Sequence, residues 1–337
     1  MNVNSGGVMA YIRLKDIAEK ANVSINTVSR ALKDQDDIGV ETKKRIQEIA
    51  DDLGYIPNAS ASQLRTKSNK MIGVVITHMD NAFYARILQG INDAVADLGY
   101  TILALSSGEN LDKENTILKT LIANRVDGTI IVPSCDLENT LDYDHLGVPH
   151  ITIVRKGNRN SRSYFISDSL ESGRIAARHF YSIGRKNPAY IGFDLPVSCN
   201  RDRLQGFQQN LEEFGIPLLS ERVMHCPATH KAAYEQATDL LRRDTKIDSI
   251  FVYNDIMSLG VLRAIHDLGL SIPSDIRILG HDDISDAHFY TPSLSSIRVP
   301  KYRLGYDSAT ELVGIIRDSS FPQRNVTYQP ELIIRET

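Results

Sequence analysis

Along residues 14–54 the apolar positions recur at the spacing of short helices. Leu14, Ile17, Ala18 and Ala21 share one helical face and predict an amphipathic helix over Leu14–Lys20. Asn22-Val23-Ser24 follows as a tight turn, with Val23 apolar to fill the space between crossing helices and Ser24 able to cap the next one. Thr27, Val28, Ala31 and Leu32 predict a second helix that ends before the polar run Lys33–Asp37. Ile46, Ile49, Ala50 and Leu53 predict a third, from near Val40 to Gly54, a residue suited to the left-handed end of a helix. Two short helices joined by a tight turn and braced by a third describe a helix-turn-helix.

From Lys70 the periodicity changes to apolar strand runs alternating with helices. Met71–Thr77 reads as a buried strand, Phe83–Leu98 as a helix closed by Gly99, and Tyr100–Leu105 as the next strand. Glu114–Ala123 reads as a helix and Thr129–Val132 as a strand. The alternation recurs through Pro149–Val154, Gly173–Ser182, Ala189–Phe193, Arg203–Phe214, Tyr234–Arg243, Ser249–Tyr253, Met257–Leu268 and Ile276–Gly280. Such alternation predicts doubly wound parallel sheets, in which ligands bind beyond the carboxyl ends of the strands. The strand ends therefore supply the site candidates: His78, Asp80, Phe83 and Tyr84; Ser106 and Ser107; Arg155; Asn254 and Asp255; and Asp282 and Asp283.

Size and charge refine this outline. A chain of 337 residues exceeds one ordinary core, so two or three domains are expected. The hydrophobic fraction of 42% and charged fraction of 24% fit a soluble globular protein, and no apolar run approaches the ~20 residues that span a bilayer. Residues 1–11 read as a disordered lead-in without a secretory signal, and Met9 is a candidate natural start. Cys135, Cys199 and Cys226 are scattered, which suits a reducing cytoplasm rather than a disulfide framework. Net charge is −4, yet residues 1–70 carry 11 Lys/Arg against 9 Asp/Glu. That asymmetry points toward DNA only weakly.

The second helix carries the functional argument. Opposite its apolar face stand Ile25, Asn26, Ser29 and Arg30, where a recognition helix meets base edges. Asn26 can pair adenine and Arg30 guanine, each through two hydrogen bonds, while Ile25 can touch a thymine methyl. Ser24, Thr27, Lys15, Lys43 and Arg45 are candidates for phosphate. A small protein-interaction bundle with a solvated polar face would show the same spacing. The next segment argues against it. After Tyr55, Pro57 fixes a bend, Asn58 can cap a short Ala/Ser helix that includes Ala61, and Leu64 is that helix's only large apolar residue. A lone leucine among small residues suits a wedge entering a minor-groove base step, with Arg65 beside it.

Leu14-Lys15-Asp16-Ile17-Ala18, Asn22-Val23-Ser24, Thr27-Val28-Ser29-Arg30 and the run from Tyr55-x-Pro57-Asn58-Ala59 to Leu64-Arg65 resemble the lactose-repressor/galactose-repressor family. The resemblance extends through the rest of the chain. It implies an all-α helix-turn-helix domain, plus an α/β, two-lobed, periplasmic-binding-protein-like effector domain. Asn81-Ala82-Phe83-Tyr84 matches the family's Asn-Pro-aromatic-aromatic, whose aromatics line the effector. Arg203-Leu204-Gln205-Gly206-Phe207 matches Arg-x-x-Gly-Phe, where the arginine grips a polar ligand. Tyr253-Asn254-Asp255 and Gly280-His281-Asp282-Asp283 match motifs that hydrogen-bond it. His78, Phe83, Tyr84, Arg155, Arg203, Asn254 and Asp282 are thus the expected effector residues.

Five positions depart from the family, one of them Ser169, which follows Asp168 where Asn is usual. Arg13 replaces a capping Thr, Ser62 replaces an Arg in the hinge, His78 replaces a common Asp, and Val154 stands where Ile-Asp-Arg would supply a hydroxyl-binding Asp. A sugar or sugar derivative is the expected effector, with Arg155, Arg203 and His78 leaving room for a phosphorylated or acidic one.

The expected boundaries are 12–57 for the DNA-binding domain, 58–69 for the hinge and 70–337 for the sensor. Lobe 1 takes about 70–168 and 298–326, and lobe 2 about 169–297 and 327–337. A cytoplasmic homodimer on pseudo-palindromic operator DNA is expected, with no heptad tail after Leu332–Thr337 to make a tetramer. No cofactor, metal or catalytic residue is expected. His225-Cys226 with His230 lacks a recognised metal spacing, and Asp282-Asp283 on an extended segment would point to opposite sides. A transport-associated sugar-binding protein would share the two lobes but need a secretion signal. A nucleotide-dependent enzyme would show a phosphate loop.

Overall fold

The computed structural model describes residues 12–55, 68–135, 143–157 and 163–337, and the chain divides into two units after Lys67. In the first unit, α1 (Leu14–Ala21), α2 (Ile25–Ala31) and α3 (Val40–Leu53) enclose a small core of Ile17, Ala18, Ala21, Val28, Ala31, Ile46 and Ala50. Val23 in the turn packs against this core. Asn22 ends α1 in the left-handed region at φ 52°, which a short polar side chain tolerates. At the start of α1 the Arg13 side chain makes no cap. Instead the Asp16 carboxylate accepts from the Arg13 backbone N–H at 2.7 Å, one half of a capping box.

The second unit holds two six-stranded sheets. The first contains β1 (Met71–Ile76), β2 (Thr101–Ser106), β3 (Gly128–Ile131), β4 (His150–Ile153) and β5 (Tyr164–Ser167). The second contains β6 (Pro188–Phe193), β7 (Val223–Cys226), β8 (Ser249–Val252), β9 (Arg277–Asp282) and β10 (Ser296–Arg298). The chain then returns through the helix Lys301–Arg317 to add β11 (Asn325–Tyr328) to the first sheet, and β12 (Glu331–Ile333) to the second. The orders are β11-β5-β4-β3-β1-β2 and β12-β10-β9-β8-β6-β7, parallel except for the β10–β12 pair. The central strands are buried on both faces, which explains their unbroken Val/Ile runs. Because β11 extends to Tyr328, the last crossing falls after that residue rather than after 326.

Close helix contacts fix the layers. A Cβ on Gly206 would strike the Leu170 carbonyl, and one on Gly173 would strike the carbonyl of Arg203. Bare backbones here let the helices Ser169–Ser182 and Ser198–Glu213 touch, one turn away from the Arg203 side chain. Both helices begin four or five residues earlier than their apolar periodicity indicates. Asp168 caps the first by accepting from Glu171 N–H at 2.9 Å, so its polar opening turn is already helical.

Candidate functional site

On the first unit, Ser24 caps α2 by accepting from the Thr27 N–H at 3.0 Å, and its hydroxyl lies 2.8 Å from that of Thr27. Val28 and Ala31 face the core, which leaves Ile25, Asn26 and Arg30 exposed and Ser29 half-buried on the opposite side. Ile25 is 49% exposed, a large apolar side chain with no core role. The cations are less free than the sequence indicates. Arg30 forms an ion pair with Asp37. The Lys43 ammonium donates to Asp34 at 2.7 Å, Lys15 lies 3.5 Å from Glu19, and Arg45 donates to the Ala21 carbonyl at 3.3 Å. Hydrogen bonding to Lys43, then its charge, holds the Asp34 carboxyl below its ordinary pKa. Tyr55 is half-buried against the helical core rather than displayed on the α2 face. Asn58, Ala61, Leu64 and Arg65, with the hinge helix and its leucine wedge, lie outside the described residues.

In the second unit a cavity of about 210 Å³ opens at the carboxyl ends of the strands, between the two sheets. His78, Phe83, Tyr84, Arg155, Arg203, Asn254 and Asp282 all line it. Each is delivered by a strand end or the helix behind it. Asn81 accepts from Phe83 N–H at 2.9 Å and starts the helix Ala82–Asp97, which sets Phe83 edge-on to Tyr84 at 5.1 Å between ring centres. Asn254 caps the helix Asp255–Asp267 through its side-chain oxygen, accepting from Met257 N–H at 2.9 Å. Its amide N–H groups are the part left to face a ligand.

Arg155 is not a free cation. It is 2% exposed and forms a two-pronged pair with Glu109, at 2.7 and 2.9 Å, while also donating to the Pro133 carbonyl at 2.7 Å. His78 approaches the same carboxylate at 4.0 Å. Arg203 differs. Buried at 4% exposure, it donates to the Tyr253 carbonyl and stacks over that ring at 4.8 Å, and among the described residues no carboxylate pairs with it. The three cations grouped from sequence as a possible anion site therefore reduce to Arg203. The cavity wall also carries Asp80, Glu109 and Asp282.

Glu109, Val154, Asp282 and Asp283 take positive φ values of 59°, 69°, 104° and 50°. Asp282 is the last residue of β9, on the extended segment that was expected, and Asp283 opens the loop after it. They diverge: Asp282 lines the cavity, while Asp283 pairs with Arg298 and Arg335. A β-branched Val154 at φ 69° is strained by about 1–3 kcal/mol, and an Asp would fit that backbone more easily.

Behind this wall lie buried titratable groups. Burial, and then Asp282, push the Asp255 carboxyl up to about 8, so it is neutral at physiological pH. It accepts from Ser296 Oγ at 2.7 Å and Ile284 N–H at 2.9 Å, which ties the loop after β9 to β10. Burial, reinforced by Arg203, pushes His281 down to about 4. Lys301, at the head of the helix that packs on the first sheet, donates to the carbonyls of Asp282 and Asp283 at the end of β9. Burial lowers its pKa as well. The sequence pattern did not single out Glu109 or Phe193 for the cavity wall, nor Lys301 behind it.

Residues 13–58 match the family described as bacterial regulatory proteins, lacI family, and residues 177–337 match a periplasmic binding protein-like domain. The chain is 30% identical, over 96% of its length and 98% of the relative's, to the HTH-type transcriptional repressor PurR of Pasteurella multocida. It is 29% identical, over 96% and 98%, to the repressor of the same name from Photobacterium profundum. Among solved structures, the lac repressor dimer bound to operator and the anti-inducer ONPF is similar at TM-score 0.84 and 25% identity, over 97% of this chain and 99% of that one. A transcriptional regulator CelR-cellobiose complex is similar in fold at TM-score 0.73 and 23% identity, over 96% and 99%. A regulator from Enterococcus faecium with bound ribose is similar in fold at TM-score 0.70 and 24%, over 79% and 97%.

Proposed function

Since the chain belongs to the lacI family of bacterial regulatory proteins, we propose a division of labour for its residues, with α2 reading the operator and the inter-sheet cavity sensing a sugar. The protein is a sequence-specific DNA-binding transcriptional regulator, not an enzyme. Its partners are double-stranded operator DNA, a small-molecule effector and a second copy of itself. Among the described residues no helix is long and apolar enough to cross a membrane. We assign it to the cytoplasm, where its operator lies.

The observation that carries the sensing half is the convergence of seven side chains from five separate stretches of chain on one cavity. Its aromatics can cover the apolar face of a sugar ring, while Arg203, Asn254 and Asp282 exchange hydrogen bonds with hydroxyls. Because Glu109 neutralises Arg155, a neutral polyhydroxylated ligand suits the lining better than a sugar phosphate. The bound cellobiose and ribose of the two fold relatives lend support to the same class. On the DNA side, the assigned readers are Ile25, Asn26, Ser29 and Arg30, with Lys15, Ser24 and Thr27 holding phosphates. Tyr55, Asn58, Ala61, Leu64 and Arg65 belong to the proposed hinge contact. Domain limits of 12–57, 58–69 and 70–337 complete the proposal.

The test is a gel-shift and footprint on host promoter DNA across a salt series, with sugars first ranked by thermal shift. Site-specific, salt-dependent protection that changes with a stabilising sugar is expected. Absence of any site-specific footprint, with or without those sugars, would overturn the reading.

A further inference from the structure

The segment after α2 folds back on the recognition helix. Gln35 N–H donates to the Arg30 carbonyl at 3.1 Å, Lys33 N–H to the same oxygen at 3.3 Å, and Asp34 N–H to the Ala31 carbonyl at 3.0 Å. Asp34 itself sits at φ 53°, a left-handed kink that turns the chain back. The return brings Asp37 onto Arg30 and leaves Asp34 on Lys43, so two cations of the DNA face are each matched by an acid of one short loop. The Arg30 and Asp37 side chains remain 46% and 44% exposed, so DNA can reach both.

Resting on the assignment of α2 as the reading helix, we propose that Asp37 is a specificity-determining residue of the DNA face. A guanidinium carries five N–H donors, and a carboxylate engages two at most. Paired with Asp37, Arg30 keeps donors for the O6 and N7 of guanine, while the pair as a whole carries almost no net charge. Attraction to phosphate depends on that charge and is blind to sequence. The acid therefore suppresses sequence-independent binding while sparing the base contact.

The experiment compares full-length parent, Asp37→Asn, Asp37→Glu and Arg30→Ala proteins on a random-sequence duplex between about 50 and 200 mM salt. Each protein also selects sequences from a randomised duplex pool. Two freed arginines per dimer, at about 0.9 of slope per phosphate, make Asp37→Asn lose roughly tenfold more affinity than the parent across that salt range. The preference for guanine at the Arg30 position weakens in the same variant, while Asp37→Glu behaves as the parent. In an Arg30→Ala background Asp37→Asn changes nothing further. An unchanged slope and unchanged guanine preference would overturn the proposal. So would a steeper slope that persists without Arg30, since Asp37 would then act only as a repulsive charge. Asp37→Ser, a second neutral replacement, covers the case in which the Asn protein fails to fold. If the parent enriches no sequence from the pool, the regulator assignment fails, and the random-duplex slopes still judge Asp37 separately.

Discussion

Two of the molecule's arginine–carboxylate pairs sit in opposite settings. On the DNA face Arg30 meets Asp37 with both side chains about half exposed, whereas in the cavity Arg155 meets Glu109 with the arginine 2% exposed. Water screens the first pair, so it contributes little to stability, and DNA can reach it. The second is shielded, and a charge stripped of its partner there has no solvent to fall back on. One pairing tunes what the protein binds, while the other shapes the wall against which an effector rests.

The largest effect should come from breaking the buried pair on one side only. Glu109→Ala leaves Arg155 as an uncompensated buried charge and should cost about 3–5 kcal/mol in chemical denaturation. Replacing both at once, with Glu109→Leu and Arg155→Met, should recover most of that loss. If Glu109→Ala alone is neutral, the pair is not shielded as described. Next in size, Gly206→Ala forces a methyl into the Leu170 carbonyl and should destabilise by about 1–3 kcal/mol. It should also weaken effector binding by displacing Arg203. Intact sugar binding in a folded Gly206→Ala protein would separate the helix contact from the site.

A pH-dependent effect, of about 2 kcal/mol over the window tested below, concerns Asp255. Its folded pKa, about 8, lies above its ordinary value of 3.8, so the folded state keeps a proton that the unfolded chain releases. Its contribution is complete below pH 3.8 and is lost as pH rises toward 8, by about 1.4 kcal/mol per unit. His281, held down near 4 against an ordinary 6.5, has the opposite sign and costs stability as pH falls from 6.5 toward 4. The two slopes oppose each other between 4 and 6.5 and leave Asp255 alone from 6.5 to 8. Stability of Asp255→Asn relative to the parent should therefore rise across pH 6.5–8, and a constant difference would contradict the assignment. The smallest effect should be Asp34→Asn, which removes an exposed partner from Lys43. The thermal midpoint should stay within error, in contrast with Glu109→Ala.

The same contrast explains what the sequence could disclose. The helix-turn-helix was legible because Val28, Ala31, Ile46 and Ala50 obey one local period and Ser24 announces a cap. Arg203, Asn254 and Asp282 were legible because each follows a strong strand or sits in a recognisable run. Glu109 was not: its partner lies 46 residues away, and nothing local distinguishes it from a surface acid. Strands β7, β10, β11 and β12 have only three or four residues each and mixed polarity, too short for a period of two to register. The helix Lys301–Arg317 also escaped notice. It buries a glutamate, Glu311, which accepts from Ser163 Oγ at 2.8 Å and pairs with Arg324, so its inner face does not read as apolar. The ion pairs on Arg30 and Lys43 were hidden for a related reason, since each depends on a kinked loop rather than a period.

Effector binding in the cavity is expected to change operator affinity. The most direct test is the affinity of the full-length protein for a duplex selected from a random pool, measured with and without a sugar that raises its thermal midpoint. In the parent the sugar should shift affinity by about 5–150-fold, the span of ordinary allosteric coupling. Arg203→Met should still bind the duplex but show no shift at the same sugar concentration. An affinity that no stabilising sugar alters, or a full response in Arg203→Met, would contradict the account.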